Sequence, residues 1–234
     1  MRLTGENITI ARRFRGPAAS ANGGYASGRL AAYLEGTAEV TLRSPPPLDR
    51  PLAVEQRDER VVLLDRDVLV AEAEAAEVDV EPPARPTLAE AEDAATRHVR
   101  WGGEVFNECF TCGERPRDGL SIHVGKVEGR NVHAAPWTAR EVASEIVWAA
   151  IDCPGAYAIG SPGRGELVLG RMAAEIVRLP GEGEQCIVVA WPLGEDGRKL
   201  YAGTALLDED GELLARARQT WIAPRARDLV ADSN

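Results

Sequence analysis

At 234 residues and 44% hydrophobic, the chain can bury a core of its own, as one large domain or two small ones. Its formal charge of −10 argues against general nucleic-acid binding, which draws most of its affinity from Lys and Arg on phosphates. No apolar run nears the ~18 to 20 residues of a membrane span, and Met1 to Arg15 lacks the apolar stretch of a signal peptide, so the expected location is the cytoplasm.

The first element, residues 20–34 (SANGGYASGRLAAYL), reads as a helix with Asn22 as N-cap and Gly23 and Gly24 in its first turn. Glycine costs about 1 kcal/mol in a helix interior. At the start of a helix it is tolerable and bares N–H groups where the dipole is positive. The plainer alternative is a tight contact between helix and sheet. Strands follow at 37–43, 51–57, 60–65 and 68–78, broken by Pro45-Pro46-Pro47 and by a polar turn at Asp65 to Asp67. One helix and an antiparallel meander therefore make a first half, residues 1–80. Residues 81–100 hold Pro82, Pro83 and Pro86 and then LAEAEDAATR, and read as a linker with a short acidic helix.

The second half, residues 101–234, opens with an irregular Gly-rich stretch (102–136) that contains a CxxC, Cys109 and Cys112. A zinc site needs two further ligands. Cys153 and Cys186 stand singly and far along the chain, and His98, His123 and His133 form no HxxxH pair, so the CxxC is expected to be metal-free and no cofactor is expected. Next comes a helix over Thr138–Asp152, with Val142, Ile146, Ala149, Ala150 and Cys153 on an apolar side. Strands are expected at 166–179, 184–193, 198–207 and 212–222.

Residues 63–75 (LLDRDVLVAEAEA) recur as residues 206–219 (LLDEDGELLARARQ), so one strand-turn-strand unit occurs twice. A unit of about a hundred residues is longer than the ~20 to 50 of a solenoid repeat and suggests two similar half-domains packed together. Two polar residues break the likeness. Gln219 lies on the side of its strand with Leu213, Ala215, Ala217 and Trp221, where the first copy has Ala75. Such a buried amide needs a partner, either a ligand or, as the plainer reading, backbone near the strand end. Asp152 stands in the apolar segment IVWAAIDCPGAYAI. Pro154 should end or kink the helix there, leaving Asp152 in its last turn, where carbonyl dipoles raise a carboxyl pKa. Aligning DCPGAYAIG with SANGGYASG instead makes Asp152 an N-cap, with the opposite shift. Both registers remain open at this point.

A helix wrapped by an antiparallel meander, twice in one chain, resembles the double hotdog fold of the acyl-CoA thioesterase family, in the thioesterase II-like branch. The resemblance implies an α+β fold whose two halves form one continuous sheet. It implies a catalytic Asp after an apolar helical stretch, matched by Asp152 in WAAIDCPG, and a catalytic Gln matched by Gln219 in DGELLARARQ. The glycines that open the family's first-half helix are matched by Gly23 and Gly24. A third family residue, a Thr or Ser before an HxxxxHRP strand, has no match, since LGRMAAEIVRLP offers Gly170 or Arg171 and neither histidine. The implied activity is hydrolysis of an acyl-CoA or acyl-carrier thioester. Asp152 would act as base, Gln219 would hold the water, and Asn22, Gly23 and Gly24 would form the substrate-binding helix start. No Ser-His-Asp arrangement is evident, and the Asp/His motifs of hotdog hydratases are absent. The competing reading is a non-catalytic acyl-CoA or lipid-like ligand binder, and a homo-oligomer, in the simplest case a homodimer, is expected.

Overall fold

In the computed structural model, which describes residues 5–100, 104–115, 117–160 and 166–223, the alternating segments pair into one eleven-stranded sheet. The strands are β1 (Glu6–Thr9), β2 (Ala38–Leu42), β3 (Pro51–Arg57), β4 (Arg60–Asp65), β5 (Val68–Ala75), β6 (Gly125–Lys126), β7 (His133–Thr138), β8 (Val168–Ile176), β9 (Gln185–Asp196), β10 (Lys199–Asp208) and β11 (Leu213–Ile222). The helices are α1 (Gly23–Ala31), α2 (Leu88–Ala95), α3 (Ser144–Ala150) and α4 (Cys153–Ile159).

Neighbouring strands run β1-β3-β4-β5-β2-β8-β11-β10-β9-β7-β6, all antiparallel. The order β3-β4-β5-β2 is thus answered by β9-β10-β11-β8 read from the other side, and the halves join where β2 pairs with β8. The repeated sequence locates the symmetry. Ala75 and Gln219 are its matching residues, and they pair with Ala38 and Met172. In the β2–β8 register the point midway between Ala38 and Met172 is the pair Glu39 and Ala173, so a local twofold passes there. The tight turns agree: the β3–β4 turn opens on Asp58 at φ 54° and the β9–β10 turn on Gly197 at φ 58°, the left-handed start that a two-residue hairpin favours.

Alternation in the second-half strands buries both faces. Met172, Ala174, Val188, Leu206, Ala215 and Ala217 face the helices α1, α3 and α4. Ala173, Ile187, Val189, Trp191, Ala205 and Leu207 face the opposite way and are covered by Val78, Val80 and by Ala91 and Ala94 of α2. The segment 81–100 therefore connects the halves and also roofs the back of the second. Thr87 caps α2 and exchanges hydrogen bonds with Glu90, which fixes where that roof begins.

Two expectations need correction, and one strand went unforeseen. The stretch 102–136 holds β6 and most of β7; the short apolar runs around Pro136 hid the pairing of β7 with β9, and the two-residue β6 pairs only with β7. The second helix starts at Ser144 rather than Thr138, because Thr138 ends β7 in a bond to Gln185. The edge strand β1 has one fully buried residue, Ile8, too little alternation to be visible in the sequence.

Candidate active site

Pro154 cannot donate to the helical carbonyl four residues back, and the segment 144–159 splits there into α3 and α4. Proline sits in the first turn of α4, where its missing N–H costs nothing. Asp152 lies in the break, at the N-cap position of α4, but its side chain makes no capping bond. It points across to the start of α1.

The approach of the two helices depends on Gly24 and Gly28. A Cβ on Gly24 would lie 2.5 Å from Asp152 Cβ and 2.6 Å from Trp148 O, and one on Gly28 would lie 2.6 Å from Glu145 Cα. Bare backbone is required at both. The tight contact weighed as the plain alternative exists, as helix on helix at Gly24 and as helix on sheet at Gly23, whose Cβ would stand 3.0 Å from Leu169 Cδ2.

At this junction the Asp152 carboxylate is 2% exposed. Its Oδ2 accepts from Asn22 Nδ2 at 2.9 Å and from the Gly24 N–H at 3.0 Å, while Oδ1 has no partner. Burial pushes the carboxyl up to about 7, against the pull of the Gly24 N–H and Asn22. Neither helix register considered above accounts for that shift, since desolvation dominates. Asn22 also caps α1, its Oδ1 accepting from the Tyr25 N–H at 2.8 Å. Of the residues expected to meet substrate, Asn22 and Gly24 therefore face Asp152, and Gly23 alone keeps an N–H without a partner among the described residues.

Gln219 is fully buried, and its amide bonds to both backbone and side chains. Nε2 donates to Ile151 O at 2.6 Å and to Asp152 O at 3.1 Å, and Oε1 accepts from Trp221 Nε1 at 2.8 Å. Buried carbonyls at the helix break must be satisfied, and Gln219 adds a donor to Ile151 O and to Asp152 O, the latter also accepting from the Gly155 N–H at 3.1 Å. The expectation that Gln219 holds a water directly is thus corrected: its amide is engaged, and it fixes the backbone that carries Asp152. Two threonines missed by the sequence reading share the task. Thr204 Oγ1 donates to Ile151 O at 2.8 Å and Thr111 Oγ1 to Ala149 O at 2.8 Å. The signal for Thr204 was its even position among Leu200, Ala202 and Leu206 on β10.

A cavity of about 310 Å³ opens over this junction, lined by Asn22, Gly23, Asp152, Leu167, Leu169 and Trp221 among others. Gln219 is not on its wall. Cys109 and Cys153 are, and here the fold overturns the view that Cys153 stands apart from the CxxC: the sulfurs of Cys109, Cys112 and Cys153 lie within 4.8 Å of one another.

No protein-family model matches the sequence, and no curated protein does. Solved structures do match along nearly the whole chain. A protein from Novosphingobium aromaticivorans, provisionally assigned as a thioesterase, aligns at TM-score 0.63 and 13% identity over 96% of this chain and 98% of its own. The acyl-CoA thioesterase II of Mycobacterium marinum aligns at TM-score 0.56 and 9% identity over 97% of each chain. The chain has the double hotdog fold. A dehydratase domain from a mycocerosic acid synthase-like polyketide synthase aligns comparably, at TM-score 0.56 and 13% identity over 96% of this chain and 95% of its own. The double hotdog therefore hosts more than one chemistry, and the residues of the site must decide between them.

Proposed function

We propose that the protein hydrolyses an acyl-thioester, with Asp152 as the general base. The observation that carries this reading is a buried carboxylate, on a residue that lines an apolar cavity, with one oxygen clamped by Asn22 and Gly24 and the other buried without a partner. A water held by Oδ1 would lose a proton to it as its oxygen attacks the thioester carbon, and the thiolate would leave and take up a proton. The Gly23 N–H, at the positive end of α1, is suited to polarise the carbonyl oxygen. Asn22, Gly24 and Gln219 are positioning residues in this scheme. None of the three histidines lines the cavity, so a histidine-dependent dehydration has no base there.

The cavity lies at the low end of the ~300–1,000 Å³ of small-molecule pockets, so short acyl groups are the expected substrates, with the carrier outside. Thiol release from a panel of acyl-CoA and acyl-carrier thioesters tests the proposal. Turnover that favours short chains supports it. Tight binding of acyl-CoA with no thiol release across the panel would favour the ligand-binding reading, for which the engaged amide of Gln219 already speaks.

A further inference from the structure

The loop carrying Cys109 and Cys112 meets the start of α4 at a cluster of three buried sulfurs. Cys109 Sγ and Cys153 Sγ are 3.6 Å apart, and all three sulfurs lie within 4.8 Å. A tetrahedral zinc with Zn–S bonds of about 2.3 Å has S···S edges of about 3.8 Å, close to this spacing. Buried thiols can also pack as small hydrophobes, which predicts no polar groups aimed at the sulfur. Here two of the three sulfurs face a side-chain amide donor. Asn22 Nδ2 lies 3.8 Å from Cys109 Sγ and 3.7 Å from Cys153 Sγ. Cys153 Sγ also lies 3.9 Å from Asp152 Oδ2, and Cys186, buried away from the cluster, directs its thiol to Glu184 O at 3.8 Å.

We propose that Cys109, Cys112 and Cys153 bind one zinc ion through three sulfurs, with water in the fourth position. The CxxC supplies two ligands from one turn, at the spacing zinc sites use, and Cys153 closes the site from α4. Donors to the sulfurs are the outer shell that thiolate ligands require. Asp152 is not the fourth ligand, since its Oδ2 is held by Asn22 and Gly24 and the carboxylate falls outside the three-sulfur cluster. The metal ties the loop at Cys109 to the residue that follows Asp152, so its effect is to hold the helix break in place.

The test is zinc content and is independent of thioester hydrolysis. Full-length protein purified under reducing, chelator-free conditions should carry about one zinc per chain by mass spectrometry of the elements. Removal by a strong chelator should lower Tm, and stoichiometric zinc should restore it. Cobalt in its place should show thiolate charge-transfer bands. Cys109→Ser or Cys153→Ser should lose the metal while Cys186→Ser keeps it. Where a serine variant fails to fold, the cobalt spectrum of the unmodified chain decides. Substoichiometric zinc that reconstitution of the reduced protein does not raise would overturn the proposal. So would loss of metal in Asp152→Asn, or a disulfide among the three cysteines in the protein as purified.

Discussion

The two halves share strand order and turns but differ on both faces of the sheet. In the first half the outer face is a solvent-facing set of ion pairs, Arg43 with Glu72, Arg60 with Glu72 and Glu74, and Glu39 with Arg171 from across the joint. In the second half that face is apolar and roofed by α2. On the inner face the first half has one unbroken helix, α1, while the second has α3 and α4 with Asp152 in the gap. A repeated unit thus became a paired one. The uninterrupted copy offers a helix start, and the interrupted copy offers a carboxylate to face it. The energetic burden follows the same division, because the break leaves carbonyls that only the second copy has polar side chains to satisfy.

Loss of the carboxylate should have the largest effect. If thioester hydrolysis is present, Asp152→Asn should reduce kcat by about 10²- to 10⁴-fold, the range for losing a general base, with ligand affinity nearly intact. Activity surviving that change would move the chemistry away from the helix break.

Next are the glycines that let the halves meet. Gly24→Ala and Gly28→Ala each drive a methyl into α3, at 2.6 Å from Trp148 O and Glu145 Cα respectively, and should destabilise by about 1–3 kcal/mol in denaturant titration. Unchanged midpoints would mean that the helices are not so closely apposed.

Gln219→Ala should cost about 1–3 kcal/mol, because it takes the acceptor from Trp221 Nε1 and leaves Ile151 O with Thr204 Oγ1 and Asp152 O with the Gly155 N–H. Its loss of turnover should be smaller than that of Asp152→Asn, as expected of a positioning residue. An equal loss would return Gln219 to direct contact with the water. The matching change in the other half, Ala75→Gln, falls on an exposed residue and should stay within about 0.5 kcal/mol of the parent. A large effect there would mean that the copies are more alike than their burial indicates.

Much of this was legible in the sequence. The repeat and the period-two runs place eight of the strands, four in each half, because each alternates over a buried inner face. Asn22 was recognisable as a cap, and Asp152 and Gln219 stood out as polar residues among apolar ones. What they bind was not legible. The carbonyls that engage Gln219 exist only because Pro154 breaks the helix, and nothing local specifies where they point. Cys153 joins Cys109 across 44 positions of chain, a proximity set by the packing of α4 and not by any ligand spacing. The roof over the second half was hidden for a similar reason, since α2 has only Ala91 and Ala94 fully buried and reads as a solvated helix.

Thioester hydrolysis at the helix break requires the Gly23 N–H and Asp152 Oδ1 to serve one reacting group. A crystal structure with a non-hydrolysable acyl-CoA thioether or amide analogue measures this directly. The analogue's carbonyl oxygen should lie within hydrogen-bonding distance of Gly23 N, its carbonyl carbon one water from Asp152 Oδ1, and its acyl chain along Leu169 and Trp221. An analogue seated elsewhere on the sheet, with no contact at the helix break, would contradict it.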